Sequence, residues 1–351
     1  MSRTMKAAIF SSFGGPEVVE VRDDVPVPEP GPGEVRLAVE AAALNHLDLW
    51  VRRGLPIETT MPHIGGSDIV GVVEALGPGV TDVPEGLRVV VDPSIGYGWY
   101  GGEPRGPSIT EPKFRIIGEH TQGGFAEYVV VPAANVLEIP DRFPSVTASA
   151  AGLTFVTAWR ALVTRAALRP GERLLVTGAS GGVGTASVAI GVAAGARVHA
   201  VTSGTENVRR LQAMGAHRVY DRSTGDFSRQ LWADTGKQGV HVAYDTVGEA
   251  MWPQCLRALG VGGRLVTSGA TSGPNGATEI RLVFWKQLSV LGSTMGSPGE
   301  FRRVMRMVFD GALKPEIHGV LPLDEAARAH ELLEGGSAFG KVVLVPAPGP
   351  Y

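Results

Sequence analysis

Short alternating or apolar runs mark out strands in the first third of the chain: Lys6-Ala-Ala-Ile-Phe10, Val35 to Val39, Gly71 to Ala75, Arg88 to Val91 and Ala126 to Val131. Pro and Gly punctuate them, as in Pro28-Glu-Pro-Gly-Pro-Gly33 and Leu76-Gly-Pro-Gly79. Tight turns between short strands predict an antiparallel, barrel-like domain. One long irregular stretch, Pro93 to Pro112, interrupts it. The pattern changes near Ser145. Val146 to Ala166 reads as one helix, ended before Pro170. From Arg173 onward, strands and helices alternate. The strands are Arg173–Val176, Ala196–Val201, Val219–Asp221, Val240–Asp245, Gly263–Ser268 and Leu288–Gly292. Such alternation predicts a parallel sheet covered on both faces. The tail carries helices Glu300–Phe309 and Asp324–Glu334, then a strand, Lys341–Val345, expected to return to the first domain. The expected fold class is α/β. A β-rich domain, residues 1–150 and 295–351, receives a doubly wound domain, residues 151–294.

Composition narrows the classes of function. At 351 residues the chain suits two domains. A net charge of −3 offers no strong attraction to a phosphate backbone, so no nucleic-acid partner is expected. Cys255 is the only cysteine, which excludes an intrachain disulfide and a cysteine-rich zinc cluster. No apolar run approaches the roughly 20 residues of a membrane span, and none precedes the strand at Lys6. A soluble, cytoplasmic protein with no membrane partner is expected.

Gly178-Ala179-Ser180-Gly181-Gly182-Val183-Gly184 lies between the strand ending at Val176 and a small-residue helix, Thr185 to Ala194. Strand, glycine turn, helix and second strand form a dinucleotide-binding βαβ unit of the Rossmann type. The glycines let backbone approach a pyrophosphate, and the helix N-terminus supplies N–H groups and partial positive charge. Ligands of such sheets bind at the carboxyl ends of the strands, here Thr246-Val247 and Ser268-Gly269-Ala270. Gly292-Ser-Thr294 ends the sixth strand. Phe284 and Trp285 either wall the pocket or belong to the core.

Several motifs recur in order along the chain. They are Gly33-Glu34-Val35, Asn45-His46-Leu47-Asp48, Gly71-Val72-Val73-Glu74 with Gly77, Gly124-Phe-Ala-Glu-Tyr128, Ala150 to Ala158, the glycine turn, and Phe339-Gly-Lys-Val342. On these the chain resembles the medium-chain dehydrogenase/reductase superfamily over nearly its whole length. The resemblance implies a GroES-like catalytic domain beside the Rossmann domain, and commonly a homodimer joined through a strand near Leu288 to Gly292. Zinc-binding members place a cysteine where this chain has Asn45, a histidine at Ser67 and a cysteine near Ala151. None of the three residues here supplies the required thiolate or imidazole. The four cysteines of their structural lobe fall on Tyr97, Tyr100, Glu103 and Glu111, so packing through Tyr97, Trp99 and Tyr100 is expected instead. No zinc is expected. His46 and His63 read as solvated or hydrogen-bonded histidines.

Asn45-x-x-Asp48-x-x-x-Arg52-x-Gly54 resembles the quinone-oxidoreductase branch, in which Asn and Asp line the cleft beside the nicotinamide. Without a metal, polarisation of a carbonyl falls to hydrogen-bond donors. Asn45 can offer an amide N–H. Arg52 can offer charge or pair with Asp48. Asn45 and Asp48 also suit a helix cap, and the two roles can coexist. Trp50 replaces the branch's usual tyrosine and cannot donate a proton in catalysis. His46 is then an alternative acid. The candidate catalytic set is Asn45, Asp48, Trp50 and Arg52.

The second strand of the Rossmann unit runs into Ser203-Gly204-Thr205, with no acid at its tip to bind ribose hydroxyls. Small hydroxyl residues leave room for a 2′-phosphate. In the branch it resembles, a lysine on the next helix and a tyrosine after the third strand hold that phosphate. Asn207 and Arg222 stand at those positions. Arg222 is a candidate phosphate ligand, and NADPH is the expected cofactor. Thr157 matches a position under the nicotinamide. The expected reaction is hydride transfer from NADPH to a quinone or an α,β-unsaturated carbonyl. The alternatives are a zinc-free alcohol or aldehyde reductase and a non-catalytic NADPH-binding protein.

Overall fold

A computed structural model describes residues 3–96 and 114–346. The aromatic lobe expected at Tyr97, Trp99 and Tyr100 lies outside the described residues. The chain divides into two units. One holds Met1–Leu153, Gly296–Gly311 and Pro315–Tyr351; the other holds Thr154–Met295 and Ala312–Lys314.

The first unit opens with strands β1 (Thr4–Ile9) and β2 (Glu20–Pro26), an antiparallel pair. Then come β3 (Glu34–Ala43), helix α1 (His46–Arg53), β4 (Asp68–Leu76) and β5 (Arg88–Val91). Two-residue strands β6 (Ser94–Ile95) and β7 (Arg115–Ile116) pair with each other. β8 (Tyr128–Pro132) and β9 (Val136–Glu138) complete the run.

Helices α2 (Ser145–Ser149) and α3 (Gly152–Trp159) follow, and a wide helical turn spans Arg160–Arg165. The single helix expected over Val146 to Ala166 is therefore broken. The Asp68 carboxylate accepts the Leu153 N–H at 2.5 Å, and a side chain at Gly152 would collide with the same carboxylate. The new helix starts on a carboxylate carried by a distant strand.

The second unit alternates as the pattern requires: β10 (Arg173–Val176), α4 (Gly182–Ala193), β11 (Arg197–Thr202), α5 (Thr205–Ala213), β12 (Arg218–Asp221), α6 (Phe227–Asp234), β13 (Val240–Asp245), α7 (Trp252–Ala258), β14 (Leu259–Thr267), α8 (Ile280–Trp285) and β15 (Ser289–Gly292). All five neighbouring pairs are parallel, in the order β12-β11-β10-β13-β14-β15. The order reverses between β10 and β13, which is the ligand-binding position of such sheets. Leu175, Val201, Ala243 and Leu265 bury one layer of its core with Phe227, Leu231 and Cys255. Phe284 and Trp285 are not core residues. They stand 63% and 81% exposed, because α8 turns Leu282 rather than these rings toward the core.

Helix α9 (Pro298–Phe309), β16 (Ile317–Pro322), α10 (Ala326–Glu334) and β17 (Lys341–Val345) close the chain. β17 pairs with β3 in antiparallel register, Val343 opposite Ala43 and Leu344 opposite Ala42. The larger sheet of the first unit thus runs β16-β17-β3-β4-β5-β9, with β8 also on β3. All five residues of β17 are buried, so its polar first residue needs a partner inside the protein.

Candidate functional site

Two polar centres emerge, one in each unit. In the first unit, Asn45 follows β3 by two residues and caps α1. The Asp48 carboxylate accepts the backbone N–H of Asn45 at 2.7 Å and of Gly66 at 2.8 Å. Asp48 is a capping-box residue that also clamps the chain entering β4. Burial pushes its carboxyl up to about 6, against the pull of these N–H groups and of Lys341.

The side chain of Asn45 is fully engaged. Its amide nitrogen donates to Asp68 Oδ2 at 3.0 Å and to the Ala43 carbonyl at 3.4 Å. Its amide oxygen accepts from Lys341 Nζ at 2.5 Å, and the same ammonium donates to Asp68 Oδ2 at 2.9 Å. Asp68 is fully buried and the Lys341 side chain is 3% exposed. Asn45, Asp68 and Lys341 form a closed ring of hydrogen bonds, so the amide N–H expected to meet a substrate is already used.

The other sequence candidates fall around this ring. Arg52 does not pair with Asp48. Its buried guanidinium pairs with Glu334 of α10 at 2.5 Å and donates to the Gly14 carbonyl at 3.2 Å. Arg53 joins the same carboxylate. Trp50 is half-buried and lies under the Arg53 guanidinium, 5.3 Å from the ring centre. His46 is exposed. His63 is buried, with Nε2 3.0 Å from the Gly118 carbonyl.

The donors here do not fit zinc. Asn45 turns its oxygen to an ammonium, Ser67 offers only a buried hydroxyl, and Ala151 offers no donor. Asp68 is already neutralised by Lys341. Among the described residues no group of three or more His, Cys, Asp and Glu side chains could hold a metal ion.

The second centre is the glycine turn. Gly178 has φ +56° and packs on Thr246 and Val247. A Cβ on Gly184 would lie 2.2 Å from the Gly178 carbonyl oxygen and 2.6 Å from Ala179 Cα. Both positions demand glycine. Gly181 caps α4, whose first helical bond runs from Thr185 N to the Gly181 carbonyl at 2.8 Å. The N–H groups of Gly182 and Val183 precede that bond and, with Ser180 beside them, suit an anion.

Asp245, which the sequence reading passed over, ties the strand tips together. Its carboxylate accepts from Thr177 Oγ1 at 2.5 Å, Val247 N at 3.1 Å and Gly248 N at 2.9 Å. Ser268 Oγ and the Tyr244 hydroxyl share a 2.5 Å hydrogen bond. Gly269 sits against the Thr246 carbonyl, and Ala270 against Gly248.

At the tip of β11, Arg222 Nε donates to Ser203 Oγ at 2.6 Å. Asn207 Nδ2 donates to the Ser203 carbonyl at 2.9 Å. Asp221 accepts the Gly204 N–H at 3.2 Å, and Thr205 opens α5. Hydrogen bonds from Ser223 hold the Asp221 carboxyl below its usual range. An ionised acid therefore stands one strand away from the acid-free tip. Thr157 is buried in α3, its Oγ1 3.9 Å from Met295 Sδ.

Comparison with known proteins agrees with this geometry. Residues 31–141 match the alcohol dehydrogenase GroES-like domain and residues 182–310 the zinc-binding dehydrogenase domain. A quinone oxidoreductase of Homo sapiens is 30% identical across 98% of both chains. A crystal structure of an NAD-dependent alcohol dehydrogenase superposes with a TM-score of 0.91 at 41% identity, covering 98% of this chain and 100% of that one. A crotonyl-CoA carboxylase/reductase in complex with NADP gives 0.87 at 26% identity, over 98% and 95%. The chain belongs to the medium-chain dehydrogenase/reductase superfamily, with a GroES-like domain and a Rossmann domain. Within that superfamily it is an NAD(P)-dependent oxidoreductase with full-length quinone oxidoreductase relatives.

Proposed function

We propose that this protein is a zinc-independent, NADPH-dependent reductase that delivers hydride to a quinone or an α,β-unsaturated carbonyl. The observation that carries this reading is the Asn45–Asp68–Lys341 ring, which ties up the residue at one metal-ligand position, Asn45, in a salt-bridged network, while Ser67 and Ala151 supply neither thiolate nor imidazole. NADPH, when bound, supplies the hydride; the protein binds, orients and polarises. The N–H groups at the start of α4 face the pyrophosphate, and Thr246-Val247 and Ser268 to Ala270 flank the dinucleotide at the strand tips. Ser203 and Arg222 take the 2′-phosphate. Arg222 is exposed and already oriented by Ser203. Of the candidate catalytic residues, Asn45 has no free N–H and serves through its ring with Asp68 and Lys341, Trp50 is the candidate wall of the substrate site, and Asp48 and Arg52 act by holding α1.

A second reading is an alcohol or aldehyde reductase that uses NADH. The Asp221 carboxylate at Gly204 and the NAD-dependent alcohol dehydrogenase among the structural relatives favour it. Steady-state oxidation of NADPH and NADH with a panel of quinones, enones and aldehydes separates the readings, with metal analysis of the same preparation. The proposal requires quinone or enone turnover with NADPH and no stoichiometric zinc. Aldehyde turnover alone, or one zinc per chain, overturns it.

We also propose a homodimer joined along the free edge of β15. Val290 on that strand, Val261 on the neighbouring β14, and Ile280, Phe284 and Trp285 on α8, the helix that precedes β15, are each exposed. An edge strand with exposed apolar side chains on it and on its flanking helix invites a second copy.

A further inference from the structure

We propose that the second unit holds a phosphate-binding cavity at the foot of its parallel sheet, at the strand ends opposite the glycine turn. The occupant is a phosphate group, either the free ion or that of a small phosphomonoester. The inference stands apart from the reductase reading, because its residues lie at the start of β10, β11 and β12 and around the end of α6. The cavity measures about 190 Å³ and is lined by Arg173, Arg197, His199, His217 and Gln238, with Asp234 and Thr235 at its rim. At about 30 Å³ per water molecule, it holds a phosphate with a few waters and is too small for a dinucleotide.

Strand register builds the site. Arg173 and Arg197 open adjacent strands directly opposite each other, and Arg218 opens the next strand opposite His199. His199 is two residues beyond Arg197, so all four share one face of the sheet. The acids nearby already have partners. Arg218 Nε lies 3.0 Å from Asp234 Oδ2, and Glu172 pairs with Arg264. Arg173 Nε donates to the Gly239 carbonyl at 2.6 Å. Among the described residues, the terminal nitrogens of Arg173 and the side chain of Arg197 have no hydrogen bond or ion pair. Two guanidinium groups therefore line one cavity without a counter-ion. A phosphate provides it, and its oxygens accept from the two forks and from the Gln238 amide, donors carried by separate elements. The wall is also built around a histidine. The Tyr220 hydroxyl donates to Asp234 at 3.2 Å and accepts from His199 Nδ1 at 3.1 Å. His199 Nε2 is left with a lone pair and no hydrogen-bond partner. The ring is 3% exposed and meets the His217 ring edge-on at 5.7 Å. Desolvation, then the charges of His217, Arg173 and Arg218 against that of Asp234, lower its pKa to about 4. An anion in the cavity offsets those cations, so His199 reports on what the cavity holds.

The test titrates inorganic phosphate into the full chain, with sodium chloride at matched ionic strength beside it. Calorimetry gives the affinity, and NMR follows the imidazole signals of His199 and His217. The variants are Arg197→Ala, Arg197→Lys and Arg222→Ala. Phosphate should move both imidazole signals, shift the His199 titration to higher pH and raise the thermal midpoint with its concentration. Arg197 is exposed and without a partner, so its variants should fold as the wild type does. Arg197→Ala should weaken phosphate about 10-fold, the low end for one charge-assisted hydrogen bond within reach of solvent. Arg197→Lys keeps the charge without the fork and should recover part of that loss. Arg222→Ala should leave the imidazole response as it is in the wild type. Glycerol phosphate that moves the same signals at lower concentration than inorganic phosphate assigns the cavity to a phosphomonoester; at higher concentration, to the free ion.

Phosphate that moves neither imidazole signal overturns the proposal. Chloride that moves them as far as phosphate does shows screening alone and overturns it too. So does phosphate binding that Arg222→Ala removes and Arg197→Ala spares, because that ion sits at the cofactor end of the sheet.

Discussion

On the proposed NADPH reading, Arg222→Ala should leave a protein that scarcely separates the two cofactors. The 2.6 Å bond from Arg222 Nε to Ser203 Oγ leaves the two terminal nitrogens of the guanidinium for a phosphate. A charge-assisted hydrogen bond contributes about 1.5–3 kcal/mol, equivalent to roughly 10–150-fold in affinity. Arg222 is exposed, so solvent screening places the effect at the low end, about 10–30-fold. The Asp221 carboxylate, held at Gly204 N, adds to the change because it would then face the 2′-phosphate with less opposing charge. Fluorescence titration with NADPH and NADH at low and high salt gives the four dissociation constants. NADPH affinity should fall and lose most of its salt dependence, while NADH affinity holds. Equal losses for both cofactors, or an unchanged preference, would refute the clamp.

Glu334→Ala strands the buried Arg52 guanidinium and should cost about 3 kcal/mol, the lower end of the range for breaking a buried pair, because Glu334 is partly exposed. Differential scanning calorimetry should register a midpoint roughly 6–12 °C lower. Asp48→Asn probes a group whose folded carboxyl sits at about 6 against an ordinary 3.8. The folded state then binds the extra proton, so this group's contribution to stability is present at low pH and declines from about pH 4 to about pH 6. The difference between wild-type and variant unfolding free energies should show that decline; a flat difference would place Asp48 outside the raised range. Trp285→Glu puts a charge into the apolar edge and should shift sedimentation from dimer to monomer. Gly184→Ala sets a Cβ against the Gly178 carbonyl and should abolish cofactor binding before it abolishes folding.

The parallel sheet was legible because its central strands are mostly buried and so read as largely apolar runs. Arg173–Val176 and Val240–Asp245 appear in the structure with the bounds expected from sequence. Elements stabilised by distant residues were not legible. Nothing in Val146 to Ala166 shows a break, because the group that starts α3 is Asp68, 85 positions away. Phe284 and Trp285 misled for a related reason. An apolar run reads as core, yet α8 is a short helix on an edge, and the run carries no mark of which side another surface covers.

The candidate site divides in the same way. The glycine turn could be read because its requirements are local: positive φ at Gly178 and contact between Gly184 and its own loop. The capping role of Asp48 was also local, three residues from the N–H it accepts. Lys341 was not legible as a site residue, since its partners lie 273 and 296 positions away. One signal could have found it. Lys341 opens a strand followed by Val342-Val343-Leu344-Val345, and a lysine in a strand this apolar must bury its charge against a carboxylate. With β17 placed beside β3, Asn45 just past the end of β3 and Asp68 at the start of β4 become the acceptors within reach. The same pairing rule corrects the role given to Asn45. A buried amide between an ammonium and a carboxylate has spent its donors, so Asn45 keeps no free N–H to polarise a substrate.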